Sequence, residues 1–67
     1  MAPYHCCLFD EGDEVVRVEV LEATNDADAY REAMKLNTAI GRVSGFEVWH
    51  RGRKIRRYDP AKLVLTH

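Results

Sequence analysis

The dipeptide Arg51-Gly52 constrains this 67-residue chain more than any other feature. It separates two runs, residues 43–50 and 54–58, that carry β-branched and aromatic side chains. A two-residue loop between such runs signals a β-hairpin, because a tight turn returns the chain with the twist that paired strands need. Closing the loop there pairs Trp49 with Lys54, Val48 with Ile55 and Glu47 with Arg56. Successive side chains on a strand point to opposite faces. This register therefore puts Phe46, Val48 and Ile55 on one face, suited to a core. Glu47, Trp49, Lys54, Arg56 and Tyr58 share the other, a wet and basic face with two large aromatics. A three-residue loop with a bulge shifts these pairs.

The rest of the chain supplies partners for that hairpin. Residues 4–9 form a short apolar run, ended by the turn signal Asp10-Glu11-Gly12-Asp13. From Glu14 to Leu21 the pattern alternates, with Val16, Val18 and Val20 on one side and Arg17, Glu19 and Leu21 on the other. Alternation of this kind marks a half-buried strand, so the two runs read as a first hairpin. Thr24, Asn25 and Asp26 are each able to cap a helix N-terminus, and Asp26 and Asp28 suit the positive end of its dipole. Ala29, Ala33, Leu36 and Ile40 fall on one helical face, flanked by Tyr30, Met34 and Asn37. Gly41 suits a left-handed C-cap, and Asp59-Pro60 ends the last strand. The order is β-β-α-β-β, which predicts an α+β fold: a two-layer sandwich with a four-stranded, largely antiparallel sheet and one helix packed on one face. Strand order is left open. Residues 60–67 read either as a flexible tail or, through Leu63, Val64 and Leu65, as a short strand or partner contact.

A chain of this length is a single domain, residues 1–67, and buries only about 60% of the surface its unfolded state exposes. Such domains usually need a disulfide, a metal or a second copy for stability. No apolar run approaches the roughly 18 residues that span a bilayer, and the N-terminus lacks a signal-peptide pattern. The expectation is a cytoplasmic protein without membrane contact, its two cysteines reduced. The net charge of −1 hides a split. Residues 1–40 carry nine acids against three bases, net −6, and residues 41–67 carry seven bases against two acids, net +5. The halves either neutralise each other within the fold or present a basic patch to a partner.

The sequence contains no catalytic motif. Gly41, Gly45 and Gly52 are isolated and make no phosphate loop, and Ser44 lacks any motif that would make it a nucleophile. The expectation is a non-enzyme without cofactor. His5-Cys6-Cys7 offers metal-ligand chemistry, but neighbours on a strand face opposite ways and no second ligand pair follows. No metal is expected. One cysteine reads as a small buried hydrophobe and the other as a residue of the open face. The basic, aromatic face supports two readings. Trp, Tyr and Arg are the side chains enriched at protein interfaces, which makes Trp49, Lys54, Arg56 and Tyr58 the candidate interaction face. Tyr4 and Arg17 join it if the hairpins lie side by side. The same face could bind single-stranded RNA or DNA, with Trp49 stacked on a base and Lys54, Arg56 and Arg57 on phosphates. The acidic first half opposes that alternative.

Phe46-Glu47-Val48-Trp49 followed by Arg51-Gly52-Arg53-Lys54-Ile55, after a helix opening Asp26-Ala27-Asp28-Ala29, resembles short proteobacterial proteins of uncharacterised families. The resemblance covers most of the chain, with Trp49 as its most distinctive position. It implies a stand-alone bacterial domain with this element order and brings no activity with it. The chain as a whole reads as a non-enzymatic binding or interaction module that self-associates. Its expected partner is a second copy or another protein. An open sheet has edges that invite pairing, and the opposed charges of the two halves suit a two-fold contact.

Overall fold

A computed structural model describes residues 3–60. The elements follow the expected order: β1 (Tyr4–Phe9), β2 (Val15–Leu21), α1 (Asp26–Ile40), β3 (Gly45–His50) and β4 (Arg53–Tyr58). They form an α+β fold, one four-stranded sheet in the order β2-β1-β3-β4 with every neighbouring pair antiparallel and the helix on one side. The two hairpins thus join through β1 and β3, which become the central strands. The tail read for residues 60–67 lies, beyond Pro60, outside the described residues.

Local chemistry accounts for the element ends. Of the three candidate caps, Asn25 is the one used: its side chain accepts from the Asp28 backbone N–H at 2.8 Å. The Asp28 carboxylate in turn accepts from the Thr24 N–H at 3.2 Å. Gly41, at φ 70°, closes the helix by donating to the Asn37 carbonyl at 3.1 Å. In the acidic turn Asp10 Oδ1 accepts from the N–H groups of Gly12 and Glu14 at 2.9 and 3.1 Å, so this side chain organises the loop. Arg51 and Gly52 both have positive φ, 56° and 76°. That is the two-residue turn the sequence requires, and Gly52 adopts it without steric cost.

The core lies between the helix and one side of the sheet. Tyr4, Cys6 and Leu8 of β1, Phe46 and Val48 of β3, Leu21 of β2, and Ala29 and Ala33 of α1 form one buried cluster. Both alanines are fully buried, because small residues let the helix backbone approach the central strands. Leu36 and Ile40 extend this face and are partly buried. At the helix start the Tyr4 hydroxyl donates to Asp26 Oδ1 at 2.7 Å, and the Tyr4 ring stacks on His50 at 4.0 Å. These contacts fix the helix over the β1–β3 seam.

Two irregularities decide which side chains face which way. In the second hairpin Trp49 pairs with Lys54, as read from the turn, but the register then shifts, so that Val48 pairs with Arg56, Glu47 with Arg57 and Phe46 with Tyr58. Ile55 is the extra residue. It stays against the core, and everything after it is inverted relative to the simple alternation. The pairs expected for Val48 and Glu47 are therefore corrected by one residue, because a bulge sets two residues of one strand against one of the other. A second register shift falls between Leu8 and Phe9, with Val16 as the extra residue of β2.

Candidate interaction surface

The sheet side away from the helix is built of three rows, set by the strand registers. The first runs Val20, His5, Trp49, Lys54; the second Val18, Cys7, Glu47, Arg57; the third Val15, Phe9, Gly45. The composition changes steadily across the strands. The β2 flank is aliphatic, the β1 positions are partly or fully covered, and the β3–β4 flank is charged. Val15, Val16, Val18 and Val20 are exposed at 50%, 55%, 56% and 64%. The valine alternation expected of β2 is present, but its valine side faces solvent. The pairing of Leu21 with Tyr4 puts Leu21, Glu19 and Arg17 on the helix side instead.

The charged flank is tied up internally around Glu47. Its carboxylate accepts from Trp49 Nε1 at 3.1 Å and from the Arg57 guanidinium, with Lys54 Nζ 3.7 Å away. Partial burial pushes the Glu47 carboxyl up. The hydrogen bonds from Arg57 and Trp49 and the charges of Lys54 and Arg57 outweigh this, and the net result lies below the ordinary value. Arg57 also reaches Asp13 at 2.8 Å and Asp59 at 3.2 Å, and its guanidinium lies 4.1 Å over the Phe9 ring. Three carboxylates and an aromatic ring thus engage one cation. Phe9 is only 2% exposed, although it lies on the uncovered side. It packs over Gly45, where a Cβ would come within 2.8 Å of its ring and 2.0 Å of the Tyr58 carbonyl oxygen. Only glycine permits this approach.

The structure divides the residues expected to share one face. Trp49 and Lys54 lie on the uncovered side, joined by Glu47. Arg56 and Tyr58 do not: the Ile55 bulge turns them to the helix side. There Arg56 lies 4.2 Å over the Tyr30 ring, and Tyr58 packs on Phe46 at 5.3 Å. Tyr4 and Arg17 are on the helix side as well. Arg57, expected at a phosphate, holds the Glu47 knot together. The residues the sequence reading missed are the four valines and Phe9. The β2 alternation was legible, but it has two possible facings and nothing local chooses between them.

Cys6 is buried, and burial, with the nearby Cys7 and Glu19, pushes its thiol up to about 11. Cys7 is half-buried on the uncovered side and is also raised, by burial first and by Glu47 second. Both are free thiols. Among the described residues, no group of three or more His, Cys, Asp or Glu side chains could hold a metal ion, and no helix is long and apolar enough to cross a membrane. No family model matches the chain, and neither a curated protein nor a solved structure does.

Proposed function

We propose that this protein is a non-enzymatic interaction module that self-associates, its contact built on the valine flank of the uncovered sheet side. The observation that carries the proposal is the exposure of Val15, Val16, Val18 and Val20 together on one outer strand. Single exposed aliphatics are ordinary, but a contiguous group on a sheet edge favours association. A chain of 67 residues also gains most from enlarging a small core with a second copy. The proposed setting is the cytoplasm, where Cys6 and Cys7 remain thiols.

The nucleic-acid alternative draws less support. It needs Trp49, Lys54, Arg56 and Arg57 on one surface. Arg56 faces the helix side, and Arg57 is surrounded by Glu47, Asp13 and Asp59, which would repel a phosphate.

Solution mass across a concentration series, by light scattering after size exclusion, tests the proposal. The expected result is a concentration-dependent dimer that Val18→Lys shifts toward monomer. A monomer at every concentration would overturn it. Trp49→Ala, run beside it, measures what the far flank adds: an unchanged mass distribution assigns the contact to the valines alone.

A further inference from the structure

An antiparallel sheet of four strands has two edges, here β2 and β4. When an edge strand pairs with a second copy of itself about a two-fold axis normal to the sheet, the axis passes through one residue. Residues equally far before and after it then meet across the new ladder. Each edge can be tested against this rule from its sequence and facing.

β2 reads Val15-Val16-Arg17-Val18-Glu19-Val20-Leu21. With the axis at Val18, that residue meets its own copy, Val16 meets Val20 of the second copy, and Arg17 meets Glu19 of the second copy. The two-fold repeats each unlike pair, so two Arg–Glu pairs form on the helix side, and Val16, Val18 and Val20 line the other, with the Val16 bulge at each end of the new ladder. Moving the axis to Arg17 or Glu19 sets like charge on like. Moving it to Val16 or Val20 sets a charge against an aliphatic side chain. One register alone satisfies both faces.

β4 behaves in the opposite way. The Ile55 bulge puts Lys54 and Arg57 on the uncovered side and Arg53 and Arg56 on the helix side, so each face of this edge offers two cations and no acid. With the axis at Arg53, Lys54, Arg56 or Arg57, that cation meets itself. Like charges directly opposite on paired strands destabilise the pair, and unlike charges favour it.

Resting on the self-association proposed above, we infer that two copies join edge to edge through β2, with the two-fold axis at Val18, into one eight-stranded antiparallel sheet. The contact is isologous and closed, so it stops at a dimer. The pairing uses the regular stretch of β2 that begins at Arg17, beyond the Val16 bulge. The valines are exposed on one side, and on the other β2 borders an open groove of about 570 Å³ whose far wall carries Leu36 and Ala39. Arg17 and Glu19, ion-paired along the strand in the single chain, are positioned to exchange partners with the second copy.

Charge reversal at these two positions tests the register. Arg17→Glu and Glu19→Arg alone each set like charge on like twice per dimer and should weaken the dissociation constant by about tenfold or more. The double variant Arg17→Glu/Glu19→Arg restores unlike pairs and should return to within about threefold of the original. Arg53→Glu on β4 should leave the constant unchanged. Circular dichroism of each variant verifies folding; Arg17 and Arg53 are exposed and Glu19 is part-exposed, which makes large losses of fold unexpected. Recovery in the double variant supports the edge pairing. A dimer indifferent to both single reversals overturns it while self-association stands, and sensitivity to Val18→Lys alone would then assign the contact to face-to-face stacking. A wild-type monomer at all concentrations overturns both readings.

Discussion

β2 and β4 close the same sheet on its two sides, and they manage an exposed edge in opposite ways. β4 carries a cation at four of its six positions, Arg53, Lys54, Arg56 and Arg57. The Ile55 bulge distributes them over both faces, so any copy pairing with this edge meets positive charge. β2 has one bulge near its start, at Val16, and then runs regularly from Arg17 to Leu21 with valine on one face and alternating charge on the other. One edge is protected by charge. The other is left open and is complementary to itself. The charge asymmetry of the chain is therefore spatial as well as sequential. The basic excess lies on one outer strand, while the acidic excess lies in the first turn and around the helix, with β2 itself neutral.

The two edges also differ in how they are held, and substitutions separate them. The largest effect is expected from Phe9→Ala, which removes the ring that covers Gly45 and carries the Arg57 guanidinium; truncating a buried Phe costs roughly 3–5 kcal/mol. A single core in a chain this small supplies only about that much, so urea denaturation should show most of the population unfolded. Retention of the wild-type midpoint would separate β4 from Phe9 altogether. Gly45→Ala comes next. Its Cβ would fall 2.0 Å from the Tyr58 carbonyl oxygen and should push β4 away from β3 at a cost of about 2–3 kcal/mol. Hydrogen exchange should show β4 amides losing protection before those of β2.

Glu47→Ala leaves Trp49 Nε1 and Arg57 without their shared acceptor and should cost about 2 kcal/mol, seen as a lower urea midpoint. The same knot predicts acid lability. The folded carboxyl lies below its ordinary 4.5, so its stabilisation is fully present above that pH and is lost as the pH falls through the lowered value. Trp49, the only tryptophan, reports this directly: its emission should shift below pH 4.5 in the native protein and should not do so in Glu47→Ala. The smallest effect on folding belongs to the other edge. Val20→Thr keeps the branched shape at an exposed position and should change unfolding free energy by less than about 0.5 kcal/mol, while weakening the dimer measurably. A large loss of fold there would mean that β2 already packs against something within the single chain.

What could be read along the chain is what local physics controls. Hairpin, helix and hairpin follow from periodicity. Arg51-Gly52 forms the expected turn because the backbone needs two positive φ angles there, and Asn25 and Gly41 close the helix with contacts inside one turn. The Trp49–Lys54 pair is next to that turn and was legible for the same reason. Legibility ends one residue later, at Ile55. A bulge inserts a residue without any composition that marks it, and it sends Arg56 and Tyr58 to the helix side and Arg57 into the Glu47 knot.

The elements, their order and the alternation of β2 and β3 follow from the chain alone, since these depend on neighbours within a few positions. Tertiary structure alone decided that β1 and β3 are central, that the helix covers the Tyr4–Cys6–Leu8 side, and that the valines of β2 are left uncovered. Alternation says that a strand has two sides and is silent on which is inside. That choice is made by packing: Leu21 opposite Tyr4, and two buried alanines bringing the helix down over the central seam.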